Sequence, residues 1–198
     1  MDENRSTPLV GAQFLEPMHV LVTCFDPCMH SQENVTLAAA QKLNGLLLQP
    51  HSSSATYNPQ RQGPIRVTAL RIPMTYGSIL DIVPKLFARP PLPVAPLRSG
   101  DRLPPARGYD FILHIGAGPP GKILLEMTTC KVGYEQPDAT GQLAPMVFGD
   151  YFYGDRRGFG TGYERFPDEL QCQADVNHII GCLRNLGIEV GPTFLNTP

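Results

Sequence analysis

The sequence predicts an α/β fold with helices on both faces of a sheet, and three observations predict it. Short apolar runs that read as buried strands occur at 19–23 (HVLVT), 65–72 (IRVTALRI) and 110–115 (DFILHI). Segments with helical periodicity follow the first two runs and recur near the C-terminal end. Turn residues punctuate every change between them, and strands alternating with helices bury both faces of a sheet.

Composition bounds the rest. At 198 residues the chain is long enough for one domain with a sizeable core. Hydrophobic residues at 42% and charged residues at 17% exclude a disordered chain. Pro accounts for 21 residues, about twice its usual share, which argues against a regular helical bundle. A formal net charge of −2 gives no basic field for nucleic acid or anionic lipid, so neither partner is expected. No apolar run approaches the ~18 residues of a membrane span. The opening MDENRSTPLVGAQFLEP lacks the basic start and apolar stretch of a signal peptide, and a cytoplasmic location is expected. Five Cys without paired spacing read as free thiols in a reducing compartment.

Residues 1–18 read as a leader and 19–198 as a single domain. After the first strand comes the turn CFDPCMHS, and Ser31 or Asn34 is placed to cap a helix over roughly 35–47. The polar stretch near 48–64 reads as a loop insertion. Strand 65–72 stops at Pro73. Ile79, Ile82, Val83, Leu86 and Phe87 then fall on one helical face, with Ser78 as the expected cap and Pro84 as a kink or an early-turn residue. Residues 89–108 are Pro-rich, carry four Arg and show no periodicity, so they read as a second insertion of solvated, polyproline-like loop. Strand 110–115 runs into GAGPPG, and KILLEMTTCK suits a strand or a short helix. Residues 139–167 form a third, irregular insertion. Val176, Ile179, Ile180 and Leu183 make the apolar face of a last helix, capped by Asp175 or Asp168 and stopped by Gly187. The segment IEV begins another strand.

Several residue groups carry possible chemistry. Gly116, Gly118 and Gly121 spell GxGxxG after a strand, with Asp138 near the place of a ribose-binding acid. A dinucleotide-dependent oxidoreductase is therefore an alternative, but Pro119 and Pro120 remove two amide donors that a phosphate needs. Cys24, Cys28 and His30 cluster without a distant second ligand pair, so buried thiols in a turn are the expectation and no metal site is assigned. His114 ends a strand and is read as a hydrogen-bonded structural histidine, or else as a crevice residue. Tyr151, Tyr153, Arg156, Arg157, Phe159, Tyr163 and Arg165 interleave rings with cations, as a flexible loop or a single-strand stacking platform would. Glu126 stands among apolar neighbours in ILLEMTT. It is either a desolvated functional acid or the outward residue of an alternating strand.

The same residues show a resemblance. LVTCFDPCMHSQENVTLAAAQKL resembles the opening of type I pyroglutamyl peptidases, roughly V-T-G-F-G/D-P-F-G followed by an Asn. LRIPMTYGSILDIVPKL resembles their I-P-V-x-Y and P-x-L element. FILHIGAG resembles their V-H-V-G strand end, and ILLEMTTCKVGYEQPDA resembles T-L-E-x followed by G-Y-x-x-x-D-N. Order and spacing hold over roughly 19–187, apart from the loop insertions.

The resemblance implies a three-layer α/β/α sandwich around a mostly parallel sheet. It implies a cytosolic cysteine omega-peptidase that removes N-terminal pyroglutamate from peptides without metal or cofactor. The implied machinery is a Cys nucleophile, a His base and a Glu that orients the His. Glu126, followed by Gly133 and Tyr134, matches that catalytic Glu. Phe25 matches the first Phe of the opening motif, which lines the ring pocket. Cys28 takes the place of the second Phe and Cys24 that of a Gly, so the pocket is expected to be wider and less aromatic. Asn34 matches the Asn that holds this loop. The family's D-A-G-x-Y-x-C nucleophile segment has no counterpart in the chain, and none of Cys24, Cys28, Cys130, Cys172 and Cys182 stands in its context. The nucleophile, the His and the last strands and helix are expected past Pro198, leaving the domain incomplete at its C-terminus and this chain inactive. Two expectations of different class remain: a peptidase complete only in a longer form, and a non-catalytic descendant that binds peptide or protein. Oligomeric state is not legible in the sequence.

Overall fold

The computed structural model describes residues 16–26, 35–49, 63–94, 104–118, 121–147, 154, 156–160 and 162–193. Its centre is β1 (Met18–Phe25), whose apolar run is buried because it is flanked by a strand on each side. β3 (Ile65–Ile72) and β4 (Phe111–Ile115) both pair with β1 in parallel, with Val20 opposite Val67 on one side and Phe111 on the other. A two-residue strand, β2 (Leu47–Leu48), adds an antiparallel edge, giving the order β2-β3-β1-β4. Strands 19–23, 65–72 and 110–115 are thus neighbours in one mostly parallel sheet, as expected from the sequence.

Adjacent residues of a strand point to opposite faces. Leu21 therefore packs with Ile72, Ile82, Leu86 and Tyr109, while Val22 and Cys24 pack with Ala40 and Val67. The first cluster places α2 (Tyr76–Phe87) on one face, and the second places α1 (Val35–Leu43) on the other. This is the three-layer arrangement. α1 ends four residues before its expected limit, and the segment after it returns to the sheet as β2. α2 begins at Tyr76, because Thr75, not Ser78, is its cap: the Thr75 hydroxyl accepts from the Ser78 N–H at 3.1 Å. Pro84 sits inside this helix, exposed, in its third turn.

KILLEMTTCK resolves as two strands, β5 (Ile123–Glu126) and β6 (Thr128–Cys130). β5 pairs in parallel with β10 (Val190–Thr193) in a separate two-stranded sheet. α3 (Val176–Asn185) covers that pair through Val176, Ile180 and Leu183 against Val190, Leu125 and Met127. Asp175 caps α3, and Gly187, at φ +77°, takes the left-handed conformation that ends it.

The insertion over 139–167 is more ordered than its composition suggests. It carries β7 (Met146–Val147) and β8 (Arg156–Arg157), which pair antiparallel, and β6 pairs with β9 (Glu169–Gln171). Both ends of the Pro-rich insertion are docked. The Leu92 N–H donates to the Lys85 carbonyl at 3.0 Å, and Arg107 pairs with Glu16 at 2.7 Å.

Candidate functional site at the C-terminal edge of the sheet

Parallel pairing carries the ends of β1, β3 and β4 to one edge, the place where open α/β sheets bind ligands. Phe25 and Asp26, Ile72, and Ile115 with Gly116 lie there. The Asp26 N–H donates to the Ile72 carbonyl at 3.0 Å, so the chain leaves β1 still tied to β3. The Asp26 carboxylate pairs with the Arg71 guanidinium, each about one-third exposed.

Cys24 and Arg71 are register partners on the α1 face. Burial pushes the Cys24 thiol pKa up, Asp26 pushes it further, and Arg71 partly offsets both. A buried thiol held protonated is a poor nucleophile. Thr23 and Phe25 point to the α2 face. Phe25 is half-buried and packs against the cluster of Leu21, Ile72 and Ile82. Thr23, opposite His114, holds the His114 Nδ1 through its hydroxyl at 2.6 Å. Desolvation holds the His114 pKa below the usual histidine range, so the ring is neutral at pH 7. His114 thus matches the hydrogen-bonded alternative read from the sequence.

The N-terminus of α2 opens on the same edge and receives the loop 133–142. The Tyr76 N–H donates to Asp138 at 3.1 Å, the Tyr76 hydroxyl donates to the Gln136 carbonyl at 2.7 Å, and the Ala139 N–H donates to the Met74 carbonyl at 3.0 Å. The other Asp138 oxygen accepts from the Thr140 N–H, the Thr140 hydroxyl and the Gln142 N–H, at 2.7–3.0 Å. Those hydrogen bonds, the Thr140 hydroxyl foremost, hold the Asp138 pKa below the usual carboxylate range. Asp138 is therefore a loop-building residue, not a free ribose acceptor. No helix opens after Gly121 either, since β5 follows it. Gly116, Gly118 and Gly121 lie between β4 and β5, and the dinucleotide alternative loses its helix N-terminus.

Gly133, at φ +104°, turns the chain so that Tyr134 meets Tyr76 edge-on, with ring centroids 6.3 Å apart. Phe159 lies 4.9 Å from Tyr134 and 6.2 Å from Tyr76, and Tyr163 and Phe166 continue the row. Burial, then Asp138, Tyr134 and Glu135, raise the Tyr76 pKa and keep it a neutral donor. The interleaved rings and cations of the third insertion are thus largely committed to packing. Arg157 donates to the Ala144 carbonyl at 2.8 Å, and Arg165 lies over Phe166 at 5.2 Å. Tyr151 and Tyr153 lie outside the described residues. This aromatic row is a feature that sequence reading missed, although the Asp-x-Thr spacing of Asp138 and Thr140 is a turn signal.

Glu126 ends β5 opposite Thr193. Its sequence neighbours Leu125 and Met127 turn toward α3, while Glu126 shares the other face with Leu124 and is exposed. Of its two sequence readings, the outward residue of an alternating strand is the one that matches this position, since Leu125 and Met127 belong to the opposite face. Cys28, His30 and Asn34 lie outside the described residues. Among the described residues, the hydrogen-bonded Cys–His contact is that of Cys182 with His178 on α3, and no group of three or more His, Cys, Asp or Glu is placed to hold a metal. No described helix is long and apolar enough to cross a membrane.

Comparison with solved structures identifies the fold. The chain is similar to pyroglutamyl peptidase I of Bacillus amyloliquefaciens, with a TM-score of 0.59 and 17% identity over 91% of this chain and 68% of that one. It is similar to a mutant pyrrolidone carboxyl peptidase of Pyrococcus furiosus, with a TM-score of 0.60, 17% identity, and coverage of 91% and 67%. It is also similar to the pyrrolidone carboxyl peptidase of Fervidobacterium islandicum, with a TM-score of 0.58, 16% identity, and coverage of 91% and 67%. No protein-family profile matches the chain. No curated protein matches it either. The α/β fold of the type I pyroglutamyl peptidases is the fold of this chain, which spans about two-thirds of their length.

Proposed function

We propose that the chain binds the N-terminal pyroglutamyl residue of peptides at the C-terminal edge of its sheet, and that residues 1–198 alone do not hydrolyse it. The observation that carries this reading is the position of Phe25. It ends the central strand at the ligand-binding edge of a fold shared with pyroglutamyl peptidases over 91% of the chain. Phe25 offers a flat apolar face to the lactam ring. Cys28 and Asn34 are the other pocket residues of this reading. With Cys28 in place of a second Phe, the ring is held less tightly by stacking.

Glu126 is the carboxylate that would orient a histidine base, and its exposed position at the end of β5 leaves it accessible to one. Covalent hydrolysis needs a thiolate beside that base. Cys24 is buried and protonated. Cys182 and His178 stand on α3, which packs on the β5 face opposite Glu126. Among the described residues neither arrangement assembles the triad, which supports binding without turnover as the activity of this reading. A cytoplasmic setting fits its free cysteines, Cys24, Cys130, Cys172 and Cys182.

The test is a pair of measurements on chain 1–198. A pyroglutamyl amide carrying a fluorogenic leaving group should bind but release no fluorophore above the blank. Release abolished by Cys24→Ala or Cys28→Ala would overturn the non-hydrolytic part and locate a nucleophile. Equal affinity for pyroglutamyl and prolyl amides, which differ by the lactam carbonyl, would overturn the substrate assignment.

A further inference from the structure

We propose that the free side of β4 is the interface of a homodimer, in which two copies of the chain pair antiparallel with Leu113 opposite the second copy's Leu113 on a twofold axis. The assignment goes beyond the peptide-binding reading and uses none of its pocket residues.

Among the described residues, β2, β4, β5 and β10 end the two sheets that carry the parallel pairing. Short length, proline and charge are the devices that keep such edges from pairing with another chain. β2 is two residues long. β10 contains Pro192, which cannot donate to a ladder. β5 follows Lys122 and ends in Glu126. β4 has none of these devices. Its residues, FILHI, include no Lys, Arg, Asp, Glu or Pro, and its register with β1 runs without a bulge. Phe111 and Leu113 are exposed large apolar side chains on it.

The occupant follows from the register. The Met18 and Asp26 N–H groups donate to the Pro64 and Ile72 carbonyls, at 2.9 and 3.0 Å, so even-numbered residues of β1 face β3. Odd-numbered ones face β4, where the His19 carbonyl accepts from the Asp110 N–H at 2.8 Å. With Leu21 opposite Ile112, the backbone groups of Phe111, Leu113 and Ile115 turn to β1, and those of Ile112 and His114 turn outward. An antiparallel copy centred on Leu113 sets Ile112 opposite the second copy's His114. These two residues exchange both N–H···O bonds, and every outward backbone group of the pair is satisfied. Leu113 then meets its own copy, and Phe111 meets the second copy's Ile115, in the close positions where cross-strand side chains touch. By alternation these three side chains share the α1 face with Cys24 and Val22, so apolar meets apolar along it. The strand is complementary to itself, which makes a second copy its partner.

Sedimentation equilibrium of chain 1–198 tests the association. One strand edge makes a small interface, so the dimer is weak and is read from about 5 to about 500 µM, where it should become the larger species at the top of the range. In the same samples, hydrogen exchange at the Ile112 and His114 N–H groups should slow at least about fivefold from the lowest to the highest concentration. This readout needs no variant. Leu113→Lys sets like charges opposite each other and should weaken association about tenfold or more, with far-UV circular dichroism unchanged. Ile123→Lys, on exposed β5, should leave association as it is. Leu113→Lys mixed with Leu113→Glu should associate again, because the twofold sets the two side chains opposite each other. A chain monomeric throughout would leave this edge to a strand of another polypeptide and overturn the proposal. So would exchange at Ile112 and His114 that ignores concentration, a dimer indifferent to Leu113→Lys, or a mixture of the two charged variants that stays monomeric. Each outcome concerns the free side of β4, so the pyroglutamyl reading at the C-terminal edge stands or falls separately.

Discussion

Replacing Thr23 by Val tests how the C-terminal edge of the sheet is held. Thr23 is 3% exposed, and its hydroxyl meets the His114 Nδ1 at 2.6 Å across the β1–β4 register. Valine has nearly the same shape, so no cavity opens. Loss of the hydrogen bond costs about 0.5–1.5 kcal/mol. The His114 ring is partly exposed, so water can reach the freed nitrogen, and the upper figures for an orphaned buried group do not apply. A methyl in place of the hydroxyl beside Leu21 recovers up to about 0.8 kcal/mol. The single substitution should therefore destabilise by well under about 1 kcal/mol, and the interaction itself shows only in a cycle. Thr23→Val, His114→Phe and the double variant should give a coupling energy of about 1 kcal/mol. The assay is urea unfolding followed by far-UV circular dichroism, suited to a chain without Trp, with m unchanged across the four proteins. A coupling below about 0.3 kcal/mol, the scatter of independent sites, would refute the assignment of this contact as a clamp on the edge.

Two further predictions concern the same edge. His114 is held below its usual pKa by desolvation, so an unfolded chain takes up a proton that the fold refuses as pH falls below about 6.5. Wild type should lose more thermal stability than His114→Phe between about pH 7.5 and pH 5.5, with no such difference above pH 7. Parallel profiles would contradict the desolvation. Asp138→Ala removes the acceptor for three backbone N–H groups, so hydrogen exchange at Tyr76, Thr140 and Gln142 should speed up while the Leu86 segment keeps its rate. Unchanged exchange at all three would show that the loop does not depend on this carboxylate.

The central sheet was legible because β1, β3 and β4 are apolar runs, but the expectation that 110–115 is a buried strand fails: β4 lies at the edge of the sheet and leaves Phe111, Leu113 and His114 exposed. α2 and α3 were legible because their stripes follow the helical period. The elements that escaped notice are short. β2 and β6 through β9 hold two or three residues each, and strands of that length are set by tertiary pairing, not by local pattern. The α2 cap was misread because Thr75 and Ser78 are both competent caps, and only the backbone of Thr75 is extended. Glu126 follows the outward alternative for a geometric reason. Leu125 and Met127 flank it in sequence but belong to the opposite face of the strand, so apolar neighbours in the text need not desolvate it in space. The His178–Cys182 pair becomes visible only when the helix brings positions four apart together. The proposal of Cys28 and Asn34 as pocket residues rests on the family resemblance alone, whereas the position of Phe25 at the end of β1 follows from the strand that carries it.

Amide chemical-shift mapping on chain 1–198 with a pyroglutamyl dipeptide amide tests the account most directly. Saturable shifts should cluster at Phe25, Asp26, Ile72 and Gly116, at the C-terminal ends of β1, β3 and β4, and Phe25→Ala should weaken the binding that produces them. Shifts confined to the opposite edge, at His19, Gly108 and Asp110, or full affinity in Phe25→Ala, would contradict it.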